Sequence, residues 1–106
     1  MEEENLLNRV DPVEVVSLLQ EIIRQRSDYP PGDCRDAMQV IENKLKQEGI
    51  HYNTYSRREH QPNLVARLGE AESPVNLMFH GHIDTVPAGE EKRWTLPPFN
   101  GQILDG

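Results

Sequence analysis

Two histidines and an aspartate alternate with other residues in the segment His80-Gly81-His82-Ile83-Asp84. In an extended chain, residues two apart point to the same side, so His80, His82 and Asp84 would share one face. Neutral imidazole is a preferred zinc ligand, and a neighbouring carboxylate can bind metal or accept the other ring N–H of a ligand histidine. The spacing therefore predicts a candidate metal face. Hydrogen-bonded loop residues are the alternative interpretation of the same pattern.

The segment before this cluster is strongly apolar. Residues 75–79 form a nearly continuous hydrophobic run between turn residues, which is typical of a central strand covered on both faces. In open α/β sheets, ligands bind beyond the carboxyl ends of strands. The cluster at residues 80–84 is therefore predicted to lie where a ligand would bind.

Two amphipathic helices are predicted upstream. Asp11 suits an N-cap, Pro12 the first helical position, and Glu14 an acidic relative of the capping box. The first helix carries an apolar stripe at helical spacing, made of Val15, Val16, Leu18, Leu19, Ile22 and Ile23. A second helix is predicted between a cap at Asp33 and a left-handed C-terminal cap at Gly49. Its stripe is Ala37, Met38, Ile41 and Leu45.

Short strands are predicted after the second helix. Residues 51–56 alternate like a half-exposed edge strand, and residues 64–68 are predicted to pair with them in antiparallel fashion. Residues 101–106 are typical of the opening of another strand or hairpin. The element order predicts an α/β fold in which the helices cover one face of a small sheet. Because residues 75–79 need cover on both faces, the chain is predicted to be the first part of a larger domain.

The length, charge and cysteine content of the chain exclude several classes of protein. The chain has 106 residues, a net charge of −7 and one cysteine, Cys34, so it is one small domain without an internal disulfide. Net acidity argues against a nucleic-acid partner. No apolar run reaches the roughly 20 residues of a membrane helix, and the acidic start is unlike a signal peptide. A cytoplasmic protein without a membrane partner is expected.

A longer set of residues resembles a known family, the dizinc metallopeptidases and amidohydrolases that include acetylornithine deacetylase, succinyl-diaminopimelate desuccinylase, aminoacylase and carboxypeptidase G. The matching residues are Phe79-His80-Gly81-His82-Ile83-Asp84-Thr85-Val86-Pro87-Ala88-Gly89, Trp94, Pro97-Pro98-Phe99, Gly101 and Leu104-Asp105-Gly106. Upstream, residues 27–33 and 62–68 also match. The resemblance implies the N-terminal portion of a three-layer, zinc-exopeptidase-like catalytic domain over residues 1–106, incomplete and without the lid or dimerisation domain.

The resemblance also assigns roles to individual residues. His82 occupies the position of the first zinc-binding histidine, and Asp84 that of the catalytic aspartate that orients it. His80 falls at a variable position, which implies a structural or pocket-rim role. Thr85, Val86 and Pro87 would shape the loop beneath the metals. Trp94, Pro97, Pro98 and Phe99 would be packing residues.

The implied activity is hydrolysis of the amide bond of N-acyl amino acids or small peptides by a zinc-activated water. Two zinc ions are expected in a complete site, with cobalt as an alternative metal, and full-length members are expected to form homodimers. The family's remaining ligands and its general-base glutamate lie downstream of the residues matched here. The 106-residue chain alone is therefore expected to be inactive.

Other chemistry-bearing residues have simpler interpretations. Glu90 and Glu91 lie in a charged turn and are predicted to be solvated rather than to be the family's glutamate pair. His51 and His60 are predicted to lie at the surface. Cys34, near a helix start, is predicted to be an inert thiol because no basic partner is evident.

Two rival functions stay open. The H-x-H pair also occurs in amidohydrolase barrels, whereas the metallo-β-lactamase pattern fails because Thr85 stands where a further histidine is needed. The other rival is a non-catalytic remnant or interaction module whose uncovered apolar strand binds a partner.

Overall fold

The computed structural model describes residues 3–106, as three α-helices, one antiparallel strand pair and a single 3₁₀ turn. The helices are α1 (Glu3–Leu7), α2 (Pro12–Arg24) and α3 (Arg35–Gln47), the strands are β1 (Tyr52–Tyr55) and β2 (Asn63–Ala66), and the 3₁₀ turn is Glu91–Arg93. None of the helices in residues 3–106 combines the length and the hydrophobicity that a membrane span requires. Helix α1 adds an element that the sequence analysis did not identify.

Helix α2 begins as the sequence predicts. The Asp11 carboxylate accepts a hydrogen bond from the Val13 N–H at 2.9 Å, and Pro12 occupies the first helical position. This arrangement satisfies one of the amides that a helix start leaves without a partner. Glu14 takes a different partner from the one expected of a capping box, because its carboxylate accepts from Lys44 Nζ at 2.5 Å. Glu14 thereby links α2 to α3.

Helix α3 is capped at both ends by local sequence. The carboxylate of Asp33 accepts from the Arg35 N–H at 3.1 Å, although Cys34 holds the N-cap position itself. At the other end Gly49 has a φ of +65°. The Gly49 N–H donates to Lys46 O at 3.1 Å and the Ile50 N–H to Leu45 O at 2.9 Å, which is a Schellman motif. Both predicted cap residues therefore act at the helix ends.

The carboxylate of Asp33 gives a testable pH dependence. Hydrogen bonds from the Arg35 side chain, and then from the Arg35 backbone N–H, lower the pKa of Asp33 to about 2. A lowered carboxyl pKa stabilises the fold above the unfolded value of about 3.9, and this contribution is lost as the pH falls towards 2. Asp33→Asn is expected to reduce the loss of thermal stability between pH 4.5 and pH 2.5. Circular dichroism melts would measure it, with Asp36→Asn as the control; equal pH responses of Asp33→Asn and wild type would contradict the prediction.

The strand pair forms in the predicted antiparallel orientation. Tyr52 is opposite Ala66 and Tyr55 is opposite Asn63, so each strand is four residues long and somewhat shorter than expected. The helices do not cover this sheet, contrary to the prediction. Helix α2 packs against α3, while the hairpin lies beside α3 with the Tyr52 hydroxyl 3.5 Å from Glu42 Oε2.

The predicted central strand at residues 75–79 is wrong for this structure. The segment is extended but unpaired, and its large side chains are almost fully exposed: Val75 79%, Leu77 80%, Met78 84% and Phe79 90%. A strand needs a neighbour for its backbone hydrogen bonds, and no described residue pairs with this one. The strand or hairpin predicted at residues 101–106 is absent from the described structure for the same reason. The three-layer arrangement is therefore not formed here, and the chain is a small α/β unit.

The core is correspondingly small. Only Cys34, Ala37 and Met38 are buried apolar residues in the described part, and the stripe of α2 stays partly exposed, with Val15 at 55% and Leu19 at 54%. The chain exposes 9352 Å², whereas a folded protein of this mass exposes about 6,000 Å². Its radius of gyration is 16.6 Å, compared with about 13 Å for a compact chain of this length. Much apolar surface is thus left without cover.

Candidate metal centre

The His-x-His-x-Asp segment is anchored by the loop that follows α2. The Tyr29 N–H donates to Thr85 O at 3.0 Å, and the Thr85 N–H donates to Ser27 O at 3.3 Å. These bonds form a parallel bridge between Asp28 and Thr85. The Ser27 hydroxyl also donates to Ile83 O at 2.5 Å, and Ser27 is only 6% exposed. Residues 27–29 therefore hold in place the backbone segment that carries the candidate ligands.

His82 and Asp84 are brought together, as their spacing predicts. His82 Nδ1 lies 3.1 Å from Asp84 Oδ1 and 2.9 Å from Asp84 O. Both partners are acceptors, so the geometry fits a ring that carries a proton on Nδ1, and in that tautomer the Nε2 lone pair is left for another group. The two side chains are 79% and 65% exposed. Their roles as metal ligand and orienting carboxylate stay predictions.

His80 is not brought into the same cluster. Its side chain is exposed, and among the described residues no three His, Cys, Asp or Glu side chains are close enough to hold a metal ion. A catalytic zinc typically takes three protein ligands. His82 has the chemistry of one ligand of such a site, because a carboxylate orients its ring. The described residues do not complete the site.

A groove of about 960 Å³ runs between α3, the hairpin and the His-x-His-x-Asp segment. Cys34 and Met38 lie on its α3 side, Arg57 and Arg58 on its hairpin side, and His80 to Asp84 along its third side. Burial raises the pKa of the Cys34 thiol, and the negative charges of Asp84 and Asp33 raise it further. Cys34 is therefore a poor nucleophile, in agreement with the prediction of an inert thiol.

The remaining candidates lie outside this groove or have structural contacts. The Glu90 carboxylate forms an ion pair with Arg93, whose Nε lies 3.2 Å from Glu90 Oε2, and Glu90 is exposed, as predicted. Trp94 donates from Nε1 to Ala88 O at 2.9 Å but stays 50% exposed. The Arg26 guanidinium lies 4.2 Å from the centre of the Phe99 ring. His60 is half-buried rather than at the surface, and its carbonyl accepts from the Cys34 N–H at 2.9 Å.

Sequence reasoning missed Ser27 as a residue of this site. Its hydroxyl binds a carbonyl 56 positions away in the chain. No spacing rule links two positions so far apart. The available signals were its place in the loop between the two predicted helices and the family resemblance of residues 27–33, neither of which points to the serine hydroxyl.

Comparison with known proteins identifies relatives of this chain. No family model matches the chain. Succinyl-diaminopimelate desuccinylases are similar to it: that of Cereibacter sphaeroides is 36% identical over 95 residues, or 90% of this chain. That of a Bradyrhizobium species is 38% identical over 97 residues, or 88% of the chain, and that of a Caulobacter species 39% over 98 residues, or 91%.

The matched region is a small part of each relative, namely 24% of its length. The chain thus spans about a quarter of the length of the curated relatives that it matches. The identity nevertheless extends over nine-tenths of this chain and includes far more than the His-x-His-x-Asp motif. Over the part that it spans, the chain fits a fragment of the family that includes succinyl-diaminopimelate desuccinylase.

Proposed function

We propose that this chain supplies part of the active site of a metal-dependent amide hydrolase acting on N-acyl amino acids or small peptides. His82 is the metal ligand and Asp84 the catalytic carboxylate that holds its ring. The observation that carries the proposal is the contact of His82 Nδ1 with Asp84 Oδ1 at 3.1 Å, in a segment whose relatives are desuccinylases. Residues 1–106 would be the N-terminal part of the catalytic domain, working in the cytoplasm.

The chemistry divides between the metal and the chain. Zinc, or cobalt in its place, supplies a Lewis acid that polarises the amide carbonyl and activates water. Asp84 accepts the Nδ1 proton of His82 and so keeps the Nε2 lone pair directed away from the carboxylate. The hydrogen bonds from residues 27–29 hold the backbone of this pair in place. An N-succinyl amino acid is the first substrate to test, since the relatives are named for one.

The 106-residue chain alone is expected to show no hydrolase activity. Its described residues bring together no three candidate ligands, so any bound metal would lack fixed geometry. The measurement is release of primary amine from N-succinyl and N-acetyl amino acids, followed with ninhydrin in the presence of added Zn²⁺ or Co²⁺. A desuccinylase from the Caulobacter species serves as the positive control. Zinc-dependent turnover by the pure 106-residue chain would refute this expectation.

A second candidate function is non-catalytic binding. It is favoured by one observation, the exposure of the large apolar side chains of residues 75–79. Exposed and unpaired extended segments are common sites of association with other chains. The two functions differ in whether His82 or the apolar run is the essential feature.

A further inference from the structure

Ser27 contacts both peptide groups that flank Asp84. Its hydroxyl donates to Ile83 O at 2.5 Å, which is the carbonyl just before Asp84. Its own backbone carbonyl accepts from the Thr85 N–H at 3.3 Å, which is the amide just after Asp84. A single residue thus restrains the backbone torsions on both sides of the carboxylate that orients His82.

The Ser27 hydroxyl is placed for positioning and not for reaction. Ser27 is 6% exposed, and its Oγ already donates to a carbonyl, so neither solvent nor an added ligand can reach it freely. The bond to Ile83 O is part-buried, and a carbonyl that loses its donor there is less stable, so the peptide group is less restrained and freer to turn towards another partner. Turning the peptide after Ile83 would move both oxygens of Asp84 that His82 Nδ1 contacts.

We infer that Ser27 is a positioning residue, whose hydroxyl bond to Ile83 O holds Asp84 where it fixes the Nδ1–H tautomer of His82. The inference rests on the proposed function for its importance to metal binding. Its geometry, however, requires neither metal nor substrate. Asp28, the next residue, is engaged separately, because its carboxylate accepts from Arg26 at 3.1 and 2.9 Å.

The test is the tautomer of His82, observed by long-range ¹⁵N–¹H NMR correlation in the metal-free 106-residue chain. The ¹⁵N chemical shifts of the two ring nitrogens distinguish the Nδ1–H from the Nε2–H form of a neutral imidazole. Wild type is expected to hold the Nδ1–H form. In Ser27→Ala the ratio of Nδ1–H to Nε2–H is expected to fall about fivefold, the factor that one such hydrogen bond contributes.

Two further variants separate positioning from general stability. Ser73→Ala also removes a serine hydroxyl bond to a carbonyl, that of Val75 at 2.9 Å, and should leave His82 unchanged. Ser27→Thr retains the hydroxyl and should restore the wild-type tautomer ratio. Helical circular dichroism of Ser27→Ala should match that of Ser73→Ala.

Three results would overturn the inference. They are an unchanged tautomer ratio in Ser27→Ala, an Nε2–H form in wild type, and a loss of helical signal in Ser27→Ala beyond that of Ser73→Ala. Titration of wild type with Zn²⁺ tests the proposed function apart from this. If Zn²⁺ leaves the His82 signals unchanged while the tautomer responds as expected, the proposed function fails and the positioning role of Ser27 stands.

Discussion

His82→Ala is expected to lower kcat/KM for an N-succinyl amino acid by about 1,000-fold or more in an active protein that contains this segment. The reason is that the substitution removes a metal ligand and with it the stabilisation of charge that develops on the amide oxygen. Asp84→Asn should have a smaller effect, about 10- to 100-fold, because it removes only the charge that orients the ring. The measurement is steady-state kinetics at saturating Zn²⁺.

Two other histidines provide matched controls for this prediction. His80 lies two residues away on the same segment, and His51 precedes β1; both side chains are exposed. Replacing either with alanine is expected to change kcat/KM by less than about threefold, within the range of surface substitutions. An equal loss in His80→Ala and His82→Ala would contradict the assignment of His82 as the ligand.

Substitution of the exposed apolar run is expected to have the second largest effect. The wild-type 106-residue chain should bind an apolar dye and self-associate, because Leu77 and Phe79 are 80% and 90% exposed. Burying each of these side chains contributes about 1.5–3 kcal/mol. The double variant Leu77→Ser, Phe79→Ser should therefore weaken self-association by at least about 100-fold. Sedimentation equilibrium and dye fluorescence would measure both effects.

Helix α1 supplies a control with similar exposure. Leu6 and Leu7 are 61% and 72% exposed, but they lie on a short helix and not on an extended segment with unpaired amides. The variant Leu6→Ser, Leu7→Ser should reduce self-association much less than the double variant at residues 77 and 79. A wild-type chain that stays monomeric and binds no dye would show that residues 75–79 find cover within the chain.

The local features of this fold follow from its sequence. The start of α2 at Pro12, the end of α3 before Gly49 and the antiparallel hairpin all depend on residues within a few positions of one another. Caps, proline restriction and left-handed glycine act at short range, so their residues can be read directly from the sequence.

The failed predictions concern long-range partners. The apolar character of residues 75–79 is typical of a covered strand, but hydrophobicity alone does not supply the neighbour that pairs with it. The stripe of α2 was predicted equally well, yet Leu19 stays 54% exposed because little packs over it. A pattern predicts which face is to be buried, while the partner depends on the rest of the fold.

Part of the candidate site could be predicted from the sequence. A spacing of two residues predicts that His82 and Asp84 lie on the same side of an extended chain. In the structure His82 Nδ1 lies 3.1 Å from Asp84 Oδ1. The same spacing put His80 on that face, where it joins no cluster of three ligands among the described residues. Ser27 could not be found this way, because its contact with Ile83 spans 56 positions.

The most direct measurement is the activity of the native protein that carries this segment, isolated from its own cells with an antibody to residues 1–106. The account predicts release of the acyl group from N-succinyl or other N-acyl amino acids. This activity should be lost on chelation, regained with Zn²⁺ or Co²⁺, and absent when His82 is replaced with alanine. Absence of hydrolysis, or hydrolysis indifferent to both chelation and His82→Ala, would contradict the account.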